Sequence, residues 1–134
     1  MKQKEIKALM IAPKEYPKVV TLKTDLDSLQ KAVSIGAGYQ GLIEIIHLEK
    51  GVVLICNEEG KLNGLEGNRR LSNDIIAGVF YIVGEDKARN LVSLREDKKV
   101  FYHRKQAGRQ SHIIYKQFDE RSSTFLPHKI RKAY

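Results

Sequence analysis

Residues 57 to 78 concentrate side chains that bind phosphate groups and the edges of nucleotide bases. The stretch reads NEEGKLNGLEGNRRLSNDIIAG. Its glycines allow positive φ angles, at which successive backbone N–H groups can point at one anion. Arg offers a planar pair of donors to phosphate, and Asn can both donate and accept hydrogen bonds. The predicted ligand-binding residues are Asn57, Lys61, Asn63, Asn68, Arg69, Arg70 and Tyr81, the last an aromatic side chain on the following strand.

The same composition is also typical of a long structural connection. Asn and Gly are common in turns, and the acidic side chains of this stretch could neutralise the arginines. A contact between Arg69 and Glu66, or between Arg70 and Asp74, would hold such a connection in place. Both interpretations therefore stay open at the level of the sequence.

Catalytic patterns are absent from the sequence. None of the four His is spaced from another, or from Cys56, as metal ligands are. GKLNG lacks the hydroxyl residue of a phosphate-binding Gly-Lys-Ser/Thr loop, and GAGYQG follows a predicted helix where the dinucleotide fingerprint follows a strand. We therefore predict a protein that is not an enzyme, with no catalytic residue, no metal site and no cofactor.

Positive charge is concentrated at the C-terminal end. From Arg95 onward lie eleven of the 24 Lys and Arg but only four of the 16 Asp and Glu. This asymmetry indicates either an acidic partner or a solvated segment that keeps the protein soluble. The predicted contacts to nucleic acid or another polyanion are Arg104, Lys105, Arg109, Lys129, Arg131 and Lys132.

No apolar run is long enough to span a membrane, and the N-terminal residues lack the apolar stretch of a signal peptide. We expect a cytoplasmic protein without membrane contact.

Local patterns predict the elements that must position these residues. IKALMIAP and the run around Val19 to Leu22 are typical of two antiparallel strands, and Thr24 or Asp25 can cap a helix. LIEIIHL and VVLIC flank a tight turn and predict a hairpin, and DIIAGVFYIVG predicts one apolar strand with a bulge at Gly78. SLRE matches a capping box that would start a helix from about residue 94 to 106, with a strand through KKVFYH as the alternative. SHIIYKQF, at 111–118, favours a last strand.

These elements predict an α+β fold. A mostly antiparallel sheet of about five strands would pack against one or two helices. We assign residues 1–106 to this domain and residues 107–134 to a basic C-terminal extension.

Four stretches, SLQKAV, IEIIHL, VVLICNEEGKLNGLEGNRRL and DIIAGVFYIVG, resemble the family called domain of unknown function 3846 (DUF3846), over residues from about 6 to 96. The family is common in Gram-positive bacteria, their phages and their integrating elements, so the resemblance implies a gene setting and no activity. The chain departs from the family pattern in a shorter connection between NRRL and DIIAG and in the basic stretch after Gln106.

Three functions remain open. The first is a non-enzymatic protein of a phage or mobile element that binds an anionic nucleotide, sequesters a host defence signal and forms homo-oligomers. The second is a nucleic-acid-binding accessory protein that uses the basic C-terminal segment. The third is an inhibitor that binds an acidic host protein.

Overall fold

Ten helices and strands make up the part of the chain that the structure describes. The computed structural model describes residues 4–62, 64–71 and 74–116, with side chains as far as residue 107. In chain order the elements are β1 (Glu5–Ile11), β2 (Lys18–Lys23), α1 (Leu26–Ala32), β3 (Ile43–Glu49), β4 (Val52–Asn57), β5 (Gly67–Leu71), β6 (Asp74–Ala77), β7 (Phe80–Glu85), β8 (Leu91–Val92) and α2 (Glu96–Lys116).

Two hairpins are joined by a central strand into one six-stranded sheet. The order is β2-β1-β7-β4-β3, with β8 pairing the end of β7, and every pair is antiparallel. The apolar run of β7 suits a strand that is paired on both edges and covered on both faces. The predicted α+β class and its mostly antiparallel sheet are confirmed.

The two faces of the sheet carry separate apolar clusters. On one face α1 contributes Leu29 and Val33, which pack on residues such as Ile55 and Val83. On the other face α2 and the β5–β6 hairpin cover the sheet, through side chains that include Tyr102 and Leu71. The chain is thus arranged in three layers, with the large sheet in the middle.

Helix α1 has the predicted cap at Asp25, but Leu26, at the start of its predicted apolar face, is 60% exposed. The Asp25 side chain accepts a hydrogen bond from the Ser28 N–H at 3.0 Å, which satisfies a backbone donor at the first turn. Leu29 and Val33 are buried, as their spacing requires for one face of a helix.

The segment 57–78 differs from its prediction as one connection. Most of it forms a small β5–β6 sheet, and Gly78, with φ +87°, separates β6 from β7. The single strand predicted over 74–84 is therefore two strands. A Cβ atom at Gly78 would lie 2.7 Å from Leu65 Cδ1, so both the backbone angle and the space favour glycine.

The C-terminal helix is longer than predicted. Helix α2 extends to Lys116, so the strand predicted over 111–118 is wrong for 111–116, and residues 117 and 118 lie outside the described residues. Helix α2 begins at Glu96, two residues later than predicted from the Ser93 capping box, and the Ser93 hydroxyl accepts from the Lys7 N–H at 2.9 Å. The boundary proposed between residues 106 and 107 falls within α2.

Candidate functional site

Arg69 lies inside the protein and binds other parts of the fold. Its side chain is fully buried. The guanidinium donates to the backbone oxygens of Gln106 and Ala12, at 3.0 and 3.2 Å, and also to that of Glu15. Its predicted role toward a ligand is thus replaced in this geometry by a structural one, which links β5 to α2 and to the β1–β2 connection.

Asn57 and Asn68 are also buried and hydrogen-bonded within the fold. The Asn68 amide donates to the backbone oxygens of Ile11 and Gly78, both at 2.8 Å, and its oxygen accepts from Arg69 Nη1 at 2.9 Å. Asn57 Oδ1 accepts from the Glu59 N–H at 2.9 Å. These amides satisfy buried backbone groups, so in this structure they do not face a ligand.

Tyr81 lies on the α1 side of the sheet. Its ring is buried, and its hydroxyl donates to the Ala32 backbone oxygen at 3.0 Å. Burial raises the pKa of Tyr81 to about 12. This tyrosine offers no exposed face on which a base could stack.

The remaining predicted ligand-binding residues of this segment are Lys61, Arg70 and Asn63. Lys61 is half exposed and pairs with Asp74, whose side chain is buried. Arg70 is partly buried on β5, and Asn63 lies outside the described residues. Two acidic side chains of the segment thus bind lysines, Asp74 with Lys61 and Glu66 with Lys14 at 3.1 Å.

A cleft of about 640 Å³ lies beside this segment. Met10, Ala12 and Val79 give it an apolar floor, and its rim includes Glu15 and Glu66 as well as Lys18. The mixed charge of the rim gives the cleft no clear preference for an anion.

Helix α2 packs one of its sides against the rest of the fold. Tyr102 and Gln106, one helical turn apart, are buried toward the hairpin and sheet. Lys98 and Lys99 flank this buried side and are held by acids, Lys98 Nζ by Glu49 at 2.8 Å and Lys99 Nζ by Glu96 at 3.2 Å.

Arg104 and Lys105 lie on the outer side of α2. Both are exposed, and no carboxylate among the described residues forms an ion pair with either. Residues 98–107, KKVFYHRKQA, contain no acid. The positive charge of Arg104 and Lys105 is therefore available to an external anion.

The other predicted polyanion contacts are placed less fully. Arg109 belongs to α2 by its backbone, and its side chain is outside the described residues. Lys129, Arg131 and Lys132 lie outside the described residues altogether.

Glu49 ties α2 to the end of β3. Its carboxylate accepts from Lys98 Nζ and, at 2.6 Å, from the Tyr102 hydroxyl. These two hydrogen bonds, that of Lys98 first, lower the pKa of Glu49, while burial and then this carboxylate raise the pKa of Tyr102.

A groove of about 390 Å³ separates α2 from the β1–β2 hairpin. Leu9, Val19 and Val100 give it an apolar lining, and the cationic and titratable groups beside them are Lys99, His103 and Arg104, with Glu96 at one end. The outer side of α2 is therefore bordered by a groove with more basic than acidic side chains.

Phe101 is an exposed aromatic residue on α2 that was not among the predicted contacts. It is 49% exposed on α2, between Lys98 and Lys105. In the sequence, the run KKVFYHRK carries the corresponding signal, an aromatic residue surrounded by cations.

Among residues 4–62, 64–71 and 74–116, no three His, Cys, Asp or Glu are grouped in a way that could hold a metal ion. Within the same residues, neither helix has the length and apolar character needed to cross a membrane.

Comparison with known proteins identifies one family. No curated protein and no solved structure matches the chain. The family model described as Domain of unknown function (DUF3846) matches residues 6–107, a range that runs from the second residue of β1 through the first half of α2. Because this match covers most of the 134 residues, the chain belongs to the DUF3846 family.

Proposed function

We propose that this protein binds nucleic acid without catalysing a reaction, and that the outer side of α2 is the contact surface. The observation that carries the proposal is the exposure of Arg104 and Lys105, which no described carboxylate neutralises. Each can displace counterions from a phosphate, the main source of affinity in nucleic-acid binding.

The shape of the surface suits a polymer better than a small anion. Helix α2 has 21 residues and is therefore about 31 Å long. Arg104 and Lys105 are consecutive exposed residues whose side chains leave the helix about 100° apart, so they can contact separate phosphates of one strand. The sequence of the same helix contains two further basic residues, Arg109 and Lys116.

A nucleotide held by residues 57–78 has less support. Asn57, Asn68, Arg69 and Tyr81 are buried and hydrogen-bonded within the fold. Loss of nucleotide binding in an Arg69→Ala variant would not show that Arg69 contacts the nucleotide, because that change also removes hydrogen bonds on which the fold depends. Sequestration of a defence signal, assembly into homo-oligomers and binding to an acidic host protein stay predictions.

A role as an accessory protein of a phage or mobile element, acting in the cytoplasm on DNA or RNA, completes the proposal. This part rests on the gene setting that the family resemblance implies.

The test is a salt series. Binding of a fluorescein-labelled 20-nucleotide DNA would be measured by anisotropy between 50 and 300 mM salt for the wild type and for Arg104→Ala/Lys105→Ala. Losing two phosphate contacts should weaken affinity at least about tenfold and reduce the slope of log affinity against log salt by about 1.4.

The matched control is Lys31→Ala/Lys87→Ala, which removes the same charge from exposed sites outside α2. It should keep the wild-type slope. No binding at 50 mM salt, or equal losses in both double variants, would refute the proposal.

A further inference from the structure

We infer that the nucleic acid bound by α2 is single-stranded, and that Phe101 is the surface on which one unpaired base stacks. The inference rests on the function proposed above and adds a substrate class and a contact residue to it.

Phe101 is held in place although half of it is exposed. Its ring contacts the Tyr102 ring edge-to-face, with centroids 4.8 Å apart and planes at 88°. Tyr102 is itself buried, and its hydroxyl donates to Glu49 Oε2. An aromatic ring supported in this way loses little conformational freedom when a base stacks on it.

Cations flank the Phe101 ring. Lys98 Nζ lies 5.9 Å and Lys105 Nζ 5.5 Å from its centroid. Lys98 is ion-paired with Glu49, whereas Lys105 is exposed and Arg104 is its neighbour in the chain. A base on the ring would therefore have cations beside it for the adjoining phosphates, the combination that single-strand binding proteins use.

A duplex cannot use this surface fully. The bases of a duplex are already stacked on one another, so the duplex would offer Phe101 only phosphates and sugar edges. Single strands present unstacked bases that can contact an aromatic ring with little dependence on sequence. The pairing of an exposed ring with cations thus favours single strands over duplexes, and over an apolar partner protein, which would gain nothing from the charge.

The experiment compares Phe101→Leu with the wild type on two probes, labelled dT20 and a labelled 20-base-pair duplex. Leu keeps the apolar character of the position and removes the aromatic face. We expect dT20 affinity to fall about tenfold and duplex affinity to change less than twofold. Val100→Ala is the matched control, since Val100 is 53% exposed on the same helix, and both affinities should change less than twofold.

A second variant reports stacking directly. The sequence contains no Trp, so Phe101→Trp introduces one fluorophore at the proposed contact. Its emission should be quenched by dT20 at the concentrations at which dT20 binds, and dT20 affinity should equal or exceed that of the wild type. Thermal unfolding of all three variants would verify that they are folded.

The outcomes separate the two proposals. If Phe101→Leu lowers both affinities equally or neither, or if Trp emission is unchanged at saturating dT20, the inference is wrong while the salt-dependent role of Arg104 and Lys105 stands. If the folded wild-type protein binds neither probe, both proposals fail. Quenching by an added protein but not by dT20 would replace the single strand with a protein partner.

Discussion

At the scale of single residues, Arg69 shows that a side chain typical of phosphate binding can be used entirely by the fold. The guanidinium stays charged at any accessible pH, and here backbone carbonyl dipoles surround it. Its acceptors belong to segments that are far apart in the sequence, the connection after β1 and the middle of α2. Removing it would take one donor from each of these oxygens, and the Ala12 oxygen would keep the Glu15 N–H, at 3.3 Å.

Replacing Arg69 with Met should therefore lower the free energy of unfolding by about 3 kcal/mol or more. Urea denaturation followed by circular dichroism measures this change. The control is Arg95→Met, because the Arg95 side chain is 74% exposed, and this change should cost less than about 0.5 kcal/mol. Equal stability of the two variants would contradict the structural role of Arg69.

Glu49 makes stability depend on pH. Hydrogen bonds from Lys98 and Tyr102 lower its pKa below the usual 4.5. A carboxylate whose pKa is lower in the folded state contributes stability above the unfolded value, and that contribution is lost as pH falls through the folded value. Ionised Glu49 therefore stabilises the fold above about pH 4.5 and ceases to do so in more acidic solution.

Glu49→Gln should accordingly flatten the dependence of melting temperature on pH between about pH 5 and pH 3. Scanning calorimetry at closely spaced pH values measures the slope. Glu58→Gln, at an exposed position, is the control and should retain the wild-type slope. If the melting temperature of Glu49→Gln depended on pH as steeply as that of the wild type, Glu49 would not be the source of the pH dependence.

At the scale of elements, the break between β6 and β7 depends on glycine. Gly78 has φ +87°, and a Cβ there would meet Leu65 at 2.7 Å. Gly64 also has a positive φ but open space around it, and Gly38 has neither restriction. The three positions therefore separate the cost of backbone strain from the cost of a steric clash.

Alanine substitutions at these glycines should destabilise in the order Gly78, then Gly64, then Gly38. We expect about 1–2 kcal/mol from strain at Gly64, more than that at Gly78, and no loss at Gly38, where Ala reduces the entropy of the unfolded chain. Chemical denaturation of the three variants measures the order. A Gly78→Ala protein as stable as Gly64→Ala would show that contact with Leu65 adds no cost to the backbone strain.

The elements that the sequence predicted well are those determined by neighbouring residues. The cap and apolar spacing of α1, and the two apolar runs on either side of a tight turn in β3–β4, lie within short windows. The β5–β6 hairpin was missed because its polar residues are buried through partners far away in the sequence, as Arg69 is by Gln106. The run HIIY, rich in residues that favour strands, lies in α2 and shows that such propensity is a weak guide.

The candidate site, like the fold, could be predicted only in part from the sequence. Charge is visible in composition, so Arg104 and Lys105 could be proposed as contacts from the sequence alone. Burial is not visible in composition, and the structure shows that Asn57, Asn68, Arg69 and Tyr81 are buried. The support of Phe101 by Tyr102 depends on the position of α2 over Glu49, which no local pattern encodes.

At the scale of the whole molecule, a nearly neutral body carries a basic C-terminal part. The family match ends at residue 107, and the apolar clusters on both faces of the sheet are built from residues that lie before this point. A chain that ends after Ala107 should therefore keep cooperative unfolding, within about 1–2 kcal/mol of the full chain. Its affinity for dT20 should fall, with a smaller salt slope, because the cations from Arg109 onward are lost.

A chain that ends after Lys116 is the matched control, since it retains all of α2. Its affinity should lie between those of the shorter chain and the full protein. An unfolded chain ending at Ala107 would show instead that the later part of α2 is needed for the fold.

The position of β7 has a consequence for protein synthesis. This strand lies between the β1–β2 and β3–β4 hairpins, yet it is translated after both. On the ribosome, each hairpin must wait with an unpaired inner edge until residues 80–85 leave the exit tunnel, and pairing with β1 then closes a separation of about 70 residues. A nascent chain that pauses before Phe80 therefore exposes two sheet edges, the state in which chaperones would be most needed.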